Sequence, residues 1–177
     1  MKNNLGVILI LVFLSVSLVS CEDLFNITFD SKEYTIEFRV KPIDERGFHI
    51  FKEEVLESDI DSILDANNVS EDRLNSVHIK EAVAVITSVD TTVFFDPLER
   101  FEVTIYTDNL DETTIAELNT VPDGLREITI PLKDDDLKGY MLEPEFMLTV
   151  AGVLSEQTTK AVPVQVKVKF EFRAGLN

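Results

Sequence analysis

The side chains able to do covalent or proton-transfer chemistry are few and scattered. Nucleophilic catalysis needs a serine or cysteine held by a base and an orienting acid, and the 177 residues contain one cysteine, Cys21, and two histidines, His49 and His78. No serine sits in a Gly-x-Ser-x-Gly turn. His49 falls in an aperiodic stretch; His78 stands between Val77 and Ile79, so on a strand it points away from them, to solvent or a sheet margin. Paired carboxylates do acid–base work at separations of about 5–10 Å, and the candidates here are Glu99, Glu102, Asp108 and Asp111, whose spacing does not fix a separation. The usual structural zinc sites need more histidines and cysteines than this chain has. Calcium takes oxygen ligands, and Asp134-Asp135-Asp136 with Asp108 or Asp111 would supply them, although the spacing is not that of an EF-hand and three acids before Leu137 equally begin a helix. No catalytic residue, metal ligand or cofactor is therefore assigned. Sugar binding by a β-domain draws on exposed aromatic platforms; tryptophan is absent, and of Tyr34, Tyr106 and Tyr140 only Tyr106 alternates away from apolar neighbours, Val103 and Ile105.

The elements that would position these groups begin with a leader. Lys2 precedes an apolar run over residues 5–14, and small and apolar residues follow to Ser20, the three-part layout of an export signal. A spanning helix needs roughly 20 apolar residues, whereas this segment meets Cys21 and then Glu22-Asp23 at about that limit, so cleavage is expected rather than insertion. Leu18-Val19-Ser20-Cys21 resembles the lipobox of bacterial lipoprotein precursors. That resemblance implies removal of residues 1–20 and lipidation of Cys21, which as the sole cysteine has no disulfide partner within the chain. Several acyl chains, each worth about 0.8 kcal/mol per buried methylene, would make the anchorage stable.

Removing 20 of the 177 residues leaves 157, the length of one ordinary domain over residues 21–177. Without Lys2 the formal charge of −17 becomes −18, which repels phosphate backbones and excludes nucleic acid as a partner; such acidity also serves solubility. Asp61-Ser62-Ile63 and Asp90-Thr91-Thr92 resemble the Asp-Ser/Thr-apolar acceptor for O-glycans on exported proteins of the Bacteroidota, which marks Ser62 and Thr91 as candidate modification sites.

Most of the chain has a period of two. Val162, Val164, Val166, Val168, Phe170 and Phe172 alternate with polar residues, which puts six apolar side chains on one face of a strand. Phe25, Ile27 and Phe29, then Asp30-Ser31-Lys32, then Tyr34, Ile36, Phe38 and Val40 predict a β-hairpin. Further strands are predicted over residues 76–89, 101–107, 125–132 and 145–154, the first long enough to contain a bulge, with Val77, Ile79, Val83 and Val85 on its inner face. Short helices are predicted over 58–66, where Ser58 caps and Ile60, Ile63 and Leu64 face inward, and over 111–118 and 134–141. Residues 41–57 read as the long loop. The expected fold is all-β: a two-layer antiparallel sandwich, immunoglobulin-like or related, with short helical connections, or else a barrel.

This layout is similar to that of small uncharacterised lipoproteins of the Bacteroidota, in which acids directly after the anchored cysteine accompany an outer-membrane location, facing the periplasm or the cell surface. The function expected is a non-enzymatic binding or assembly module, tethered to the membrane and acting on a protein or glycan partner. The alternatives are an envelope hydrolase using the scattered carboxylates and a fimbria-like subunit that uses residues 162–172 or a sheet edge for strand addition.

Overall fold

In the computed structural model, which describes residues 26–42 and 45–175, alternation becomes nine strands. They are β1 (Asn26–Asp30), β2 (Tyr34–Val40), β3 (Gly47–Glu57), β4 (Leu74–Ile86), β5 (Leu98–Tyr106), β6 (Thr113–Leu118), β7 (Glu127–Thr129), β8 (Glu145–Leu154) and β9 (Val162–Gly175). Two short helices, α1 (Ile60–Ala66) and α2 (Lys138–Leu142), lie in the connections. One sheet runs β1/β2-β9-β4-β7 and the other β3-β8-β5-β6. From β2 onward the chain is a long antiparallel ribbon folded at its middle: β2 pairs β9, β3 pairs β8, β4 pairs β7 and β5 pairs β6. Successive pairs of this ribbon fall in opposite sheets, so the expected two-layer sandwich forms and its strand order is that of a jelly roll.

The core is the space between the sheets. Tyr34, Phe146 and Phe170 meet edge to face at centroid distances of 5.2, 5.8 and 6.0 Å. Phe38, Phe51 and Phe101 stack at the other end, with Phe38 and Phe51 5.3 Å apart. Alternation on β9 is complete, its even-numbered residues from Val162 to Ala174 all buried. That strand is interior to its sheet, with both edges paired, to β1/β2 on one side and β4 on the other.

Several expectations are corrected. Residues 26–40 make no hairpin: β1 and β2 follow one another along the same side of β9, Asn26 opposite Gly175 and Val40 opposite Val162. Tight hairpins favour Asn-Gly, Asp-Gly or another glycine at positive φ, and Asp30-Ser31-Lys32 has no glycine. Instead Ser31 enters the ladder, its N–H donating to the Phe170 carbonyl at 2.9 Å and its hydroxyl accepting from the Phe170 N–H at 3.0 Å. Residues 47–57 are strand β3, not loop, because a bulge at Phe51 interrupts the period-two pattern that would have announced it. Residues 113–118 are strand β6, not helix; the β-branched Thr113, Thr114 and Ile115 suit a ladder with β5 better than a helical turn. In β4 the bulge at Lys80 shifts the alternation, so Val77 and Ile79 face the core as expected but are followed there by Ala82, Ala84 and Ile86, not Val83 and Val85.

Helix α1 keeps its predicted place, with Ile60 and Leu64 buried. It ends in a Schellman turn in which Asn68 takes φ 53° and the Val69 N–H reaches back to the Leu64 carbonyl at 2.9 Å. Its cap differs from expectation: the Ser58 hydroxyl donates to the Met141 carbonyl at 2.6 Å and stands 3.4 Å from the Ile60 N–H. At the sheet margin, the Glu117 N–H donates to the Pro131 carbonyl and the Lys133 N–H to the Ile115 carbonyl, both at 2.9 Å, so the free edge of β6 is covered by the chain leaving β7.

Candidate functional site

Outward-facing side chains of the β3-β8-β5-β6 sheet do not make an ordinary wet surface. Thr104 of β5, Thr149 opposite it on β8, and Ala151 of β8 point away from the core, yet are 7, 4 and 3 % exposed. Small residues at the centre are covered because longer ones stand around them, which makes the face hollow. On one side rise Phe48 and Ile50 of β3, 58 and 57 % exposed, with Val55 further along the same strand at 57 %. On the other stand Glu102 of β5, Thr114 of β6 and Glu112 just before it. The cleft between them encloses about 320 Å³.

Alternation ahead of the bulge leaves Phe48 and Ile50 outside and turns the Phe51 ring inward to stack on Phe38 and Phe101. A second bulge, at Glu99, aims Arg100 onto the outer face. Gly152 permits this close approach, since a Cβ there would run into the Arg100 carbonyl. The Arg100 guanidinium then sits 2.6 Å from both Glu102 and Glu117, and Lys133 lies 2.8 Å from Glu117. Lys133, and after it Arg100, hold the Glu117 carboxyl below its usual range. Two buried polar atoms of this sheet have no hydrogen-bond partner among the described residues: the Thr149 hydroxyl in the cleft floor and Arg100 Nε, outside the cleft lining. Next to the cleft, burial and the carboxylates of Glu53, Glu112 and Asp108 push the Tyr106 phenol up.

The sequence candidates are only partly gathered here. Glu102 lines the cleft; Asp108 belongs to a separate hollow of about 350 Å³ with Val55, Asn109 and Met147. Glu99 is exposed on its bulge, and Asp111 uses its main-chain carbonyl to accept the Tyr140 hydroxyl at 2.8 Å. His49 is on β3 rather than in a loop, stacked on Phe51 at 6.1 Å with Nε2 2.6 Å from the Glu45 carbonyl. His78 lies on the outward face of β4 as expected, half-buried, 3.6 Å from Asp134. Asp136 serves the start of α2, its carboxylate accepting the N–H groups of Val77 and Lys138 at 2.9 and 3.0 Å. Among the described residues no group of three His, Cys, Asp or Glu side chains is placed to hold a metal ion. Ser62 is exposed on α1, and Thr91 is exposed in the β4–β5 loop. Beside Thr91, Asp90 accepts the amide and hydroxyl of Thr92 and pairs with Lys160, which together hold its carboxyl far below the usual range. Cys21 and the leader lie outside the described residues.

Phe48, Ile50, Arg100 and Thr149 were not singled out from sequence; the alternation of Phe48 with Ile50, continued after one extra residue by Glu53 and Val55, is the signal that would have found the β3 wall. A further space, lined by Phe38, Phe51, Phe94 and Phe101 among others, measures about 20 Å³ and is almost wholly apolar, about room for one water. No helix among the described residues is long and apolar enough to cross a membrane. No protein family matches the chain, and no curated protein is detectably similar to it.

Proposed function

We propose that this protein is a lipid-anchored, non-enzymatic binding module of the bacterial outer membrane, tethered through Cys21 and taking its partner on the outward face of the β3-β8-β5-β6 sheet. The observation that carries the reading is the hollow face itself: exposed Phe48 and Ile50 over a floor of buried Thr149, Ala151 and Thr104. Exposed apolar side chains grouped beside a concave polar surface mark interaction sites. The anchor is supported by the match of Leu18-Val19-Ser20-Cys21 to a lipobox and by the absence of any other cysteine.

A photo-crosslinking residue at Ile50, compared with one at Val89 on the β4–β5 loop, tests this in whole cells of the native host. The Ile50 position should trap a discrete partner and the Val89 position should not. Capture that is the same at both positions removes the face from consideration. Turnover of an envelope polymer by purified protein, lost on Glu102→Gln, would instead make it the hydrolase. Intact-mass analysis of the same material should show acyl groups on Cys21 and no residues before it; a free thiol there ends the anchored reading.

A further inference from the structure

We propose that the cleft between β3 and β5 binds a sugar ring of a neutral glycan. This deepens, and rests on, the reading of the protein as a binding module. The two walls differ in kind. Phe48 and Ile50 present an aromatic face and an aliphatic edge, while the opposite wall presents carboxylate oxygens of Glu102 and Glu112 and the Thr114 hydroxyl. A pyranose ring has that same division, an apolar C–H face and a rim of hydroxyls, and its slightly positive C–H groups suit the negative face of a ring such as Phe48. The enclosed volume of about 320 Å³ lies at the small end of ligand pockets, which run from about 300 Å³ upward, and suits one ring of a chain that continues along the open face.

Polar groups in the cleft select among amphipathic ligands. Glu102 and Glu117 already carry their counter-charge, since one Arg100 guanidinium holds both at 2.6 Å and Lys133 adds to Glu117. They are therefore fixed, neutralised acceptors rather than an open call for a cation. Glu112 has accepted the Thr104 hydroxyl, which fixes it too. The unpartnered group among the described residues of the cleft is the Thr149 hydroxyl, on a residue 4 % exposed. An ammonium group donates only and offers the Thr149 hydroxyl proton no acceptor. A phosphate or uronate meets the Glu112 carboxylate, whose hydrogen-bond partner Thr104 is neutral. A hydroxyl both donates and accepts, so a single class of group answers the wall carboxylates and Thr149 together.

The test uses the full acylated chain in detergent micelles against an array of neutral, acidic and amino-substituted oligosaccharides, with oligolysine peptides as the competing occupant. Neutral oligosaccharides should bind. Phe48→Ala should weaken the best of them at least about tenfold, and Thr149→Val, which keeps the side chain's shape and removes its hydroxyl, about three- to tenfold. Unchanged thermal unfolding of Thr149→Val shows that the loss is not one of folding; if that variant proves destabilised, Glu102→Gln on the opposite wall supplies the same comparison. Neutral-glycan binding that neither Phe48→Ala nor Thr149→Val alters would place the ligand elsewhere and overturn the proposal. Binding of oligolysine alone, or no array binding while Ile50 still crosslinks a protein in cells, would also overturn it but leave the binding module standing. Silence in both experiments would remove both.

Discussion

At the scale of single residues, the fold fastens strand β2 through Tyr34. The ring is 3 % exposed, wedged between Phe146 and Phe170, and its hydroxyl donates to the Asp59 carboxylate and accepts the Asp59 N–H at 3.3 Å. Burial first, and the Asp59 carboxylate after it, push the phenol well above the ordinary tyrosine range. The neutral form is thus the one the fold favours, so its contribution is fully present below the unfolded pKa of about 10 and is lost as pH rises beyond it. Tyr34→Phe keeps the ring and removes the hydroxyl, leaving Asp59 with the Lys32 N–H at 3.1 Å. We expect urea unfolding at pH 7 to show a loss of about 1–2 kcal/mol. Between pH 9.5 and 11 the wild type should lose more stability than the variant, the gap between them closing; parallel alkaline profiles would show that Tyr34 is not the group responsible.

At the scale of elements, bulges decide which side chains meet the core. Sequence alternation located β9 and β8 to within two residues because both run without an inserted residue on the faces that carry their apolar series. It failed at β3 and on half of β4 for one reason: a single extra residue, Phe51 or Lys80, reverses the face of everything after it, and no local composition marks which residue is extra. The same failure hid the Phe48 wall of the cleft, whereas Glu102 and Tyr106, on the regular part of β5, were legible. Strand β6 was missed because acids and threonines before an apolar pair look alike at a helix start and on an edge. The β4 assignment has a direct test. Ala84 is fully buried between the sheets and Val85, although larger, is on the outer face beside Gln165 and Glu127. Ala84→Lys buries an unpaired charge and should cost more than about 4 kcal/mol or prevent folding. Val85→Lys faces Glu127 and should shift stability by less than about 1 kcal/mol in denaturant titration. The reverse order would restore the unbulged alternation that the sequence alone suggests.

At the scale of the whole molecule, the jelly roll has two ends, and the proposed anchor and the cleft lie toward different ones. Asn26 begins β1 next to Gly175 and Asn75, its side-chain oxygen 3.0 Å from the Asn75 amide nitrogen. Strand β4 runs from there for 13 residues, about 40 Å at the usual strand rise, to the end that carries Val89 and the start of β9. Phe48 and Ile50 lie toward this far end, because β3 enters from it and Gly47 pairs with Leu154. Only four residues separate Cys21 from Asn26, a reach of about 18 Å when extended. A lipid on Cys21 would therefore hold the Asn75 end near the bilayer and turn the cleft outward, and the formal charge of −18 left after loss of Lys2 from a chain of −17 would keep the rest of the surface off anionic headgroups. Fluorophores on Asn75→Cys and on Val89→Cys, each in acylated protein on vesicles containing spin-labelled lipid, measure this. Strong quenching is expected at position 75 and little at position 89, with the difference growing as salt is lowered and repulsion lifts the domain. Equal quenching at the two positions would mean that the sandwich lies flat, and stronger quenching at 89 that the cleft faces the lipid, where a glycan displayed beyond the bilayer could not reach it.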